Sequence, residues 1–291
     1  MIIDGKKIAN TIRDELKKSI ETLKSNPFFR PPCLAVILVG NNQASHLYVN
    51  GKTKSCDEVG IQSLKIERPA SITEHELIEE INRLNADPTV DGILVQLPLP
   101  PQINPNRVMH TIDPKKDVDG FHPYNMGKLL IGETDGFIPC TPLGIITLLQ
   151  SYQIDTTGKH ALVIGRSNIV GKPTAVLLMQ MAAGGNATVT VAHRFTKNLH
   201  ELCQKADIIV AAIGKPLFIK SDMVKEGVVI IDVGMNQIED ATKKSGYKIV
   251  GDVDFDQVAP KCSYITPVPR GVGPMTIAML LQNTFQSYLK R

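Results

Sequence analysis

Ala161-Leu-Val-Ile-Gly165-Arg-Ser-Asn-Ile-Val-Gly171 is an apolar run ending in two glycines with five residues between them. Ala161 to Ile164 is too short and too uniformly apolar for an amphipathic helix, and it reads as a buried strand. The glycines make a turn, and Thr174 to Met181 continues as a helix. Strand, glycine turn and helix open a Rossmann-type unit, although the spacing is Gly-x5-Gly rather than Gly-x-Gly-x-x-Gly. Further strands are expected at Thr188 to Ala192, Ile208 to Ile213 and Val228 to Val233, with short helices between them. Each ends at a histidine or glycine: His193, Gly214 and Gly234. This pattern builds a parallel sheet.

Upstream, strand and helix also alternate. Ile8, Ile12, Leu16, Ile20 and Leu23 recur at helical spacing and predict a first helix ending before Pro27. Leu34 to Val39 is a buried strand, and a helix follows it through Tyr48 and Lys52 to the region of Gly60. Ser63 to Arg68 alternates as a strand. Thr73-x-x-Glu76 is a capping box for a helix through Leu77, Ile81 and Leu84. Val90 to Leu97 is another buried strand, stopped by Pro98, and Asn104-Pro105 starts a short helix. Thr141-Pro142 is read as the cap and first residue of a helix, Leu143 to Gln150, that bridges into the second domain. Tyr247 to Val253 reads as a hairpin-like excursion, and Met275 to Leu289 as the closing helix.

At 291 residues the chain accommodates two such domains. Its 43% hydrophobic content and mean hydropathy of -0.02 suit a soluble globular protein. A net charge of +3, with Lys115-Lys116 answered at once by Asp117 and Asp119, argues against nucleic-acid or membrane partners. Cys33, Cys56, Cys140, Cys203 and Cys262 show no Cys-x-x-Cys spacing and are odd in number, which suggests a reducing compartment and buried thiols, Cys56 alone lying near the chemistry. The histidines are scattered, so no metal site is expected. With no apolar leader after Asp4 and no long apolar run, the expected location is the cytoplasm.

The chemistry-bearing residues of the first half are Ser45, Tyr48 and Lys52, which share one helix face, with Gln96 closing a strand and Asp119 in a loop. In parallel sheets, ligands bind beyond the carboxyl ends of strands, where these residues fall. A lysine whose pKa is lowered by a pocket serves as a base near neutral pH. In the second half, His193-Arg194 follows the second strand where an NAD site would carry a carboxylate. Arg166 and Ser167 in the first turn add a guanidinium and a hydroxyl, so the cofactor expected is NADP. Gly214 and Gly234 let the backbone approach a flat ligand.

Five segments, Ser45-x-x-Tyr48-Val49-x-x-Lys52, Val95-Gln-Leu-Pro-Leu-Pro100, Lys116-Asp-Val-Asp-Gly120, Gly165-Arg-Ser-Asn-Ile-Val-Gly-Lys-Pro173 and Thr266-Pro-Val-Pro269, together resemble the bifunctional methylenetetrahydrofolate dehydrogenase/cyclohydrolase family. The likeness runs in order along essentially the whole chain. It implies two α/β domains linked by two helices with a cleft between them: a folate-binding catalytic domain, 1–140 plus 272–291, and a Rossmann-type NADP domain, 141–271. It also implies NADP-dependent oxidation of 5,10-methylenetetrahydrofolate, then hydrolysis to 10-formyltetrahydrofolate, by a homodimer. On this likeness Lys52 is the catalytic amine, Gln96 its hydrogen-bond partner, Tyr48 the residue that orients the substrate ring, and Asp119 the acceptor for the pterin. Leu97, Pro98, Pro267, Gly271, Gly273 and Pro274 would complete the substrate site. Gly165, Arg166, Ser167, Val170 and Gly171 would meet the cofactor, with His193, Arg194, Ile213, Gly214, Val233 and Gly234. Arg270 departs from the family, which more often has glycine there. The alternative is another two-domain NADP-dependent dehydrogenase acting on a small carboxylate; a non-catalytic dinucleotide-binding module would leave Lys52 unexplained.

Overall fold

The computed structural model describes residues 1–243 and 246–290. In chain order the elements are α1 (Gly5–Leu23), β1 (Cys33–Val39), α2 (Gln43–Val59), β2 (Gln62–Arg68), α3 (Glu74–Ala86), β3 (Gly92–Val95), α4 (Pro105–Thr111), α5 (Pro123–Ile131) and α6 (Cys140–Ser151). There follow β4 (His160–Ile164), α7 (Gly171–Met179), β5 (Thr188–Ala192), α8 (Leu199–Lys205), β6 (Ile208–Ala211), β7 (Val228–Asp232), β8 (Asn236–Glu239), β9 (Tyr247–Val250), α9 (Phe255–Val258), β10 (Cys262–Ile265) and α10 (Val272–Leu289). Two compact units result. The early unit comprises Asn10–Cys140 and Ile277–Arg291, and the late unit Met1–Ala9 and Thr141–Thr276.

The early unit is built on a parallel sheet in the order β2-β1-β3. Every residue of the central β1 and of β3 is buried, as parallel strands covered on both faces require, while β2 at the edge is mostly solvent-facing. Ile37, Leu77, Ile81, Ile93 and Val108 meet in one core. The Thr73 capping box forms with Glu76, as its spacing predicts.

The late unit carries a five-stranded parallel sheet in the order β10-β7-β6-β4-β5. Strand β4 has β5 on one side and β6 on the other, so the strand order reverses at β4. Beyond the carboxyl ends of strands at such a point lies the crevice where α/β sheets take ligands. The hairpin expected near Val250 is present as antiparallel β8 and β9.

Several boundaries differ from the sequence expectation. Helix α6 begins at Cys140, so Thr141 lies inside its first turn, and the Thr141 hydroxyl bonds Thr276 Oγ1 instead of capping the helix. Helix α7 spans Gly171–Met179 rather than starting at Thr174. The N-terminal residues belong with the late unit, not with the early one: Ile2 bridges Ile265 in parallel, and the Ile3 amide donates to the Ile265 carbonyl at 2.8 Å. Three elements were not foreseen, the single turn α9 among them. Helix α5 is capped by His122 and has Pro123 at its first position, and β10 adds an edge to the sheet. Among the described residues no helix is long and apolar enough to cross a membrane, and no cluster of His, Cys, Asp and Glu is placed to hold a metal.

Candidate active site

Helix α2 starts just past the carboxyl end of β1. Asn42 caps it by accepting the Ser45 amide at 3.0 Å, and Gly60 ends it in a left-handed conformation. Lys52, near the middle of the helix, is 4% exposed. Its ammonium donates to Gln96 Oε1 at 3.1 Å and stands 4.9 Å from the centre of the Tyr48 ring. Gln96 follows β3 directly. Its amide donates to the Ile37 carbonyl and its side-chain Nε2 to the Leu97 carbonyl at 2.8 Å, so the oxygen is left to face the lysine. Leu97 is half-buried and Pro98 exposed.

Burial and charge oppose each other at this lysine. Burial lowers the Lys52 pKa from its ordinary value, and Asp119, then Cys140 and Cys56, work to raise it. Burial also raises the Asp119 pKa, against Lys52 and a hydrogen bond from the Cys140 thiol. Tyr48 is pushed up to about 12, so its hydroxyl keeps its proton at neutral pH. Cys140 therefore shares the site, a correction to the expectation that Cys56 is the one cysteine near it.

The loop carrying Asp119 is fixed by groups that its sequence alone does not reveal. Asp117 accepts the His122 amide and the Asn125 side chain, each at 2.8 Å, and the Phe121 amide at 3.2 Å. Burial pushes its pKa up to about 7 against these hydrogen bonds. Gly120 has φ of 77° and packs on the Ile138–Pro139 backbone, where a side chain would collide. From α10, Asn283 donates to the Val118 carbonyl at 2.8 Å and to the Ile138 carbonyl at 3.1 Å.

In the late unit the turn after β4 has the form its glycines predict. Gly165 has φ of 130°, and a Cβ on Gly171 would strike the Gly165 carbonyl, so the helix start lies directly on the strand end. The Ser167 hydroxyl accepts the amides of Val170 and Gly171 at 3.1 and 3.3 Å. After β5, His193 is half-buried, while Arg194 and Phe195 are exposed. Ile213 and Gly214 follow β6, and both their amides donate to Asp252 Oδ2. After β7, the Val233 amide donates to Ala211, and Gly234 donates to Asp232 Oδ1. Asp232 and Asp252, which sequence reasoning missed, thus hold the loops beyond β6 and β7. Burial lifts the Asp232 pKa to about 6.

These residues fit a dinucleotide with a 2′-phosphate. The glycine turn admits close backbone approach, a Cβ added at Gly214 would stand in open space, and two guanidiniums with no carboxylate follow β4 and β5.

Pro267, Gly271, Gly273 and Pro274 belong to the late unit, unlike Tyr48, Lys52, Gln96 and Asp119. Thr266 Oγ1, just before Pro267, accepts the Asp232 amide at 2.7 Å. Gly271 lies against Gly5, with no room for a side chain on Gly5. Arg270 takes φ of 87°, the region that favours glycine, and its carbonyl accepts the Lys6 amide at 2.9 Å.

Comparison with known proteins bears on both units. Residues 3–119 match the family model described as the tetrahydrofolate dehydrogenase/cyclohydrolase catalytic domain, and residues 139–291 match the NAD(P)-binding domain of that enzyme. A Protochlamydia amoebophila protein named "Bifunctional protein FolD" is 66% identical over 290 residues, spanning 100% of this chain and 98% of that one. The crystal structure of bifunctional FolD, a methylenetetrahydrofolate dehydrogenase/cyclohydrolase, from Campylobacter jejuni is 52% identical with a TM-score of 0.94, covering 100% of this chain and 99% of that one. The Trypanosoma brucei N5,N10-methylenetetrahydrofolate dehydrogenase-cyclohydrolase, solved with NADP cofactor and inhibitor, is 38% identical with a TM-score of 0.94, covering 100% and 97%.

Proposed function

The chain belongs to the tetrahydrofolate dehydrogenase/cyclohydrolase family, and on that premise we propose how its own residues divide the two reactions. The protein is an oxidoreductase and a hydrolase: it oxidises 5,10-methylenetetrahydrofolate to the methenyl form and hydrolyses that to 10-formyltetrahydrofolate. No comparison favours a small-carboxylate dehydrogenase.

Lys52 manages protons during hydrolysis. The observation that carries this role is its burial with the amine held between Gln96 and the Tyr48 ring. Burial disfavours the ammonium, which leaves a larger share of neutral amine to take a proton from attacking water; the positive charge of the methenyl substrate would act in the same direction. Gln96 fixes the direction of the amine, and Tyr48, protonated throughout, orients the substrate ring. Asp119 accepts hydrogen bonds from the pterin and tempers the fall in the lysine pKa.

NADP, when bound, supplies the hydride acceptor for the oxidation. Gly165, Val170 and Gly171 would receive its diphosphate at the turn beyond β4. Arg166, Ser167, His193 and Arg194 would hold the 2′-phosphate end, and Ile213, Gly214, Val233 and Gly234 the nicotinamide end. Leu97 and Pro98 would line the folate site of the early unit. We further propose a homodimer. β5 is the terminal strand of its sheet with Val191 exposed, and sedimentation of the purified protein tests the assembly.

Incubation with 5,10-methylenetetrahydrofolate and either NADP+ or NAD+, following reduced cofactor, methenyl and formyl products, tests the reading. Formyl product with NADP+ is expected. Methenyl product that hydrolyses no faster than in buffer would remove Lys52 from the proposed role.

A further inference from the structure

We propose that Phe195 is a positioning residue for cofactor selection: its ring gathers the Arg166 and Arg194 guanidiniums into one receptor for the 2′-phosphate. The proposal rests on the NADP reading above and adds to it a residue that carries no charge and no hydrogen-bonding side chain.

Phe195 is 64% exposed, although burial is what a phenylalanine ordinarily gains from folding. The turn that presents it is closed by three hydrogen bonds. The His193 amide donates to Thr196 Oγ1 at 2.9 Å, the Thr196 amide to the His193 carbonyl at 2.8 Å, and the Phe195 amide to His193 Nδ1 at 3.3 Å. The His193 ring also meets the Phe195 ring edge to face at 6.1 Å. The chain thus aims the ring outward.

Two cations use that ring. The Arg194 guanidinium carbon is 4.7 Å from its centre and that of Arg166 is 5.9 Å away. These arginines come from different turns, after β5 and after β4, which neighbour each other in the sheet. Like charges sharing one ring repel each other, and the negative π face offsets part of that repulsion. A dianionic phosphate would neutralise the rest. A ligand with a free 2′-hydroxyl gains nothing from the arrangement, so the ring contributes to discrimination more than to general affinity.

The test is calorimetric titration of wild type, F195L and F195Y with adenosine 2′,5′-bisphosphate and with 5′-AMP. F195L keeps apolar bulk without the π face, and F195Y restores the face. F195L is expected to weaken the bisphosphate about 3- to 10-fold while leaving 5′-AMP unchanged, and F195Y to bind as wild type does. Should F195L prove unstable to heat, F195M replaces it. Equal weakening of both ligands would make the ring an adenine platform and overturn the proposal. Discrimination that survives F195L would overturn the role of Phe195 and leave the NADP reading standing. Equal affinity of wild type for the two ligands would overturn that reading, and this proposal with it.

Discussion

Lys52 and Asp119 are oppositely charged partners that burial pushes toward neutrality together. Removing one therefore moves the other in a direction that can be worked out. Asp119 favours the Lys52 ammonium, so Asp119→Asn leaves burial less opposed, and the Lys52 pKa falls further. Carbon-13 NMR titration of labelled lysine should show the Lys52 midpoint at lower pH in the variant; a shift to higher pH would contradict the assignment. Lys52→Met should cut methenyl hydrolysis by at least about 100-fold, the low end of general acid–base contributions, while calorimetry with adenosine 2′,5′-bisphosphate remains unchanged. Loss of that binding instead would make Lys52 a structural residue. Tyr48, Lys52 and Gln96 were legible in the sequence because helix spacing and a strand end place them locally. Cys140 was not, since it reaches Asp119 only through the fold of the loop between them, and Asp232 and Asp252 were hidden because their partners, the Asn236 side chain on Asp252 apart, are backbone amides. Arg270 was legible as an oddity, and its φ of 87° gives the physical reason. Left-handed backbone costs a side-chain-bearing residue about 1–2 kcal/mol, partly offset by the greater unfolded-state freedom of glycine, so Arg270→Gly should raise stability by about 0.5 kcal/mol. Arg270→Val should lower it. Urea unfolding that failed to rank Gly above Arg above Val would refute strain at this position.

Elements were read most securely where one local rule decided them. The continuous apolar runs of β1, β4, β6 and β7 are what buried parallel strands need, and the Thr73 capping box located α3 to the residue. Helix α5 was missed although His122-Pro123 is a start signal of the kind that located α4. Strand β10 offered less, because its register against β7 shifts between Cys262 and Tyr264 and its apolar pattern is broken. The junction of β4 with α7 is the element-scale feature most exposed to a small change. Gly171→Ala would drive a Cβ into the Gly165 carbonyl and the Arg166 Cα. Separating helix from strand should cost about 1–3 kcal/mol of stability and weaken adenosine 2′,5′-bisphosphate binding. Unchanged melting and binding together would show that the junction yields freely.

For the whole molecule, composition and alternation of elements indicated two α/β units, and the family models cover both. The place of the last helix with the early unit came only through the family resemblance, and that of the N-terminus with the late unit was not legible, because it depends on contacts such as that of Ile3 with Ile265, far apart in the sequence. Asn283 in α10 pairs with carbonyls of the early unit, and Ser287 donates to Asp91 and Lys115 there. Asn283→Ala takes the amide from the Ile138 carbonyl and leaves the Val118 carbonyl only the Cys140 thiol, and should cost about 1–3 kcal/mol, read as a lower urea midpoint. A midpoint equal to that of wild type would mean water replaces the amide without loss. The same arrangement sets an order of events during synthesis. A ribosome delivers Asn10–Cys140 before Thr141–Thr276 and Ile277–Arg291 after it, so the early unit waits, its carbonyls at Val118 and Ile138 still lacking Asn283, while most of the late unit is translated. The early unit is therefore completed only when α10 has been made.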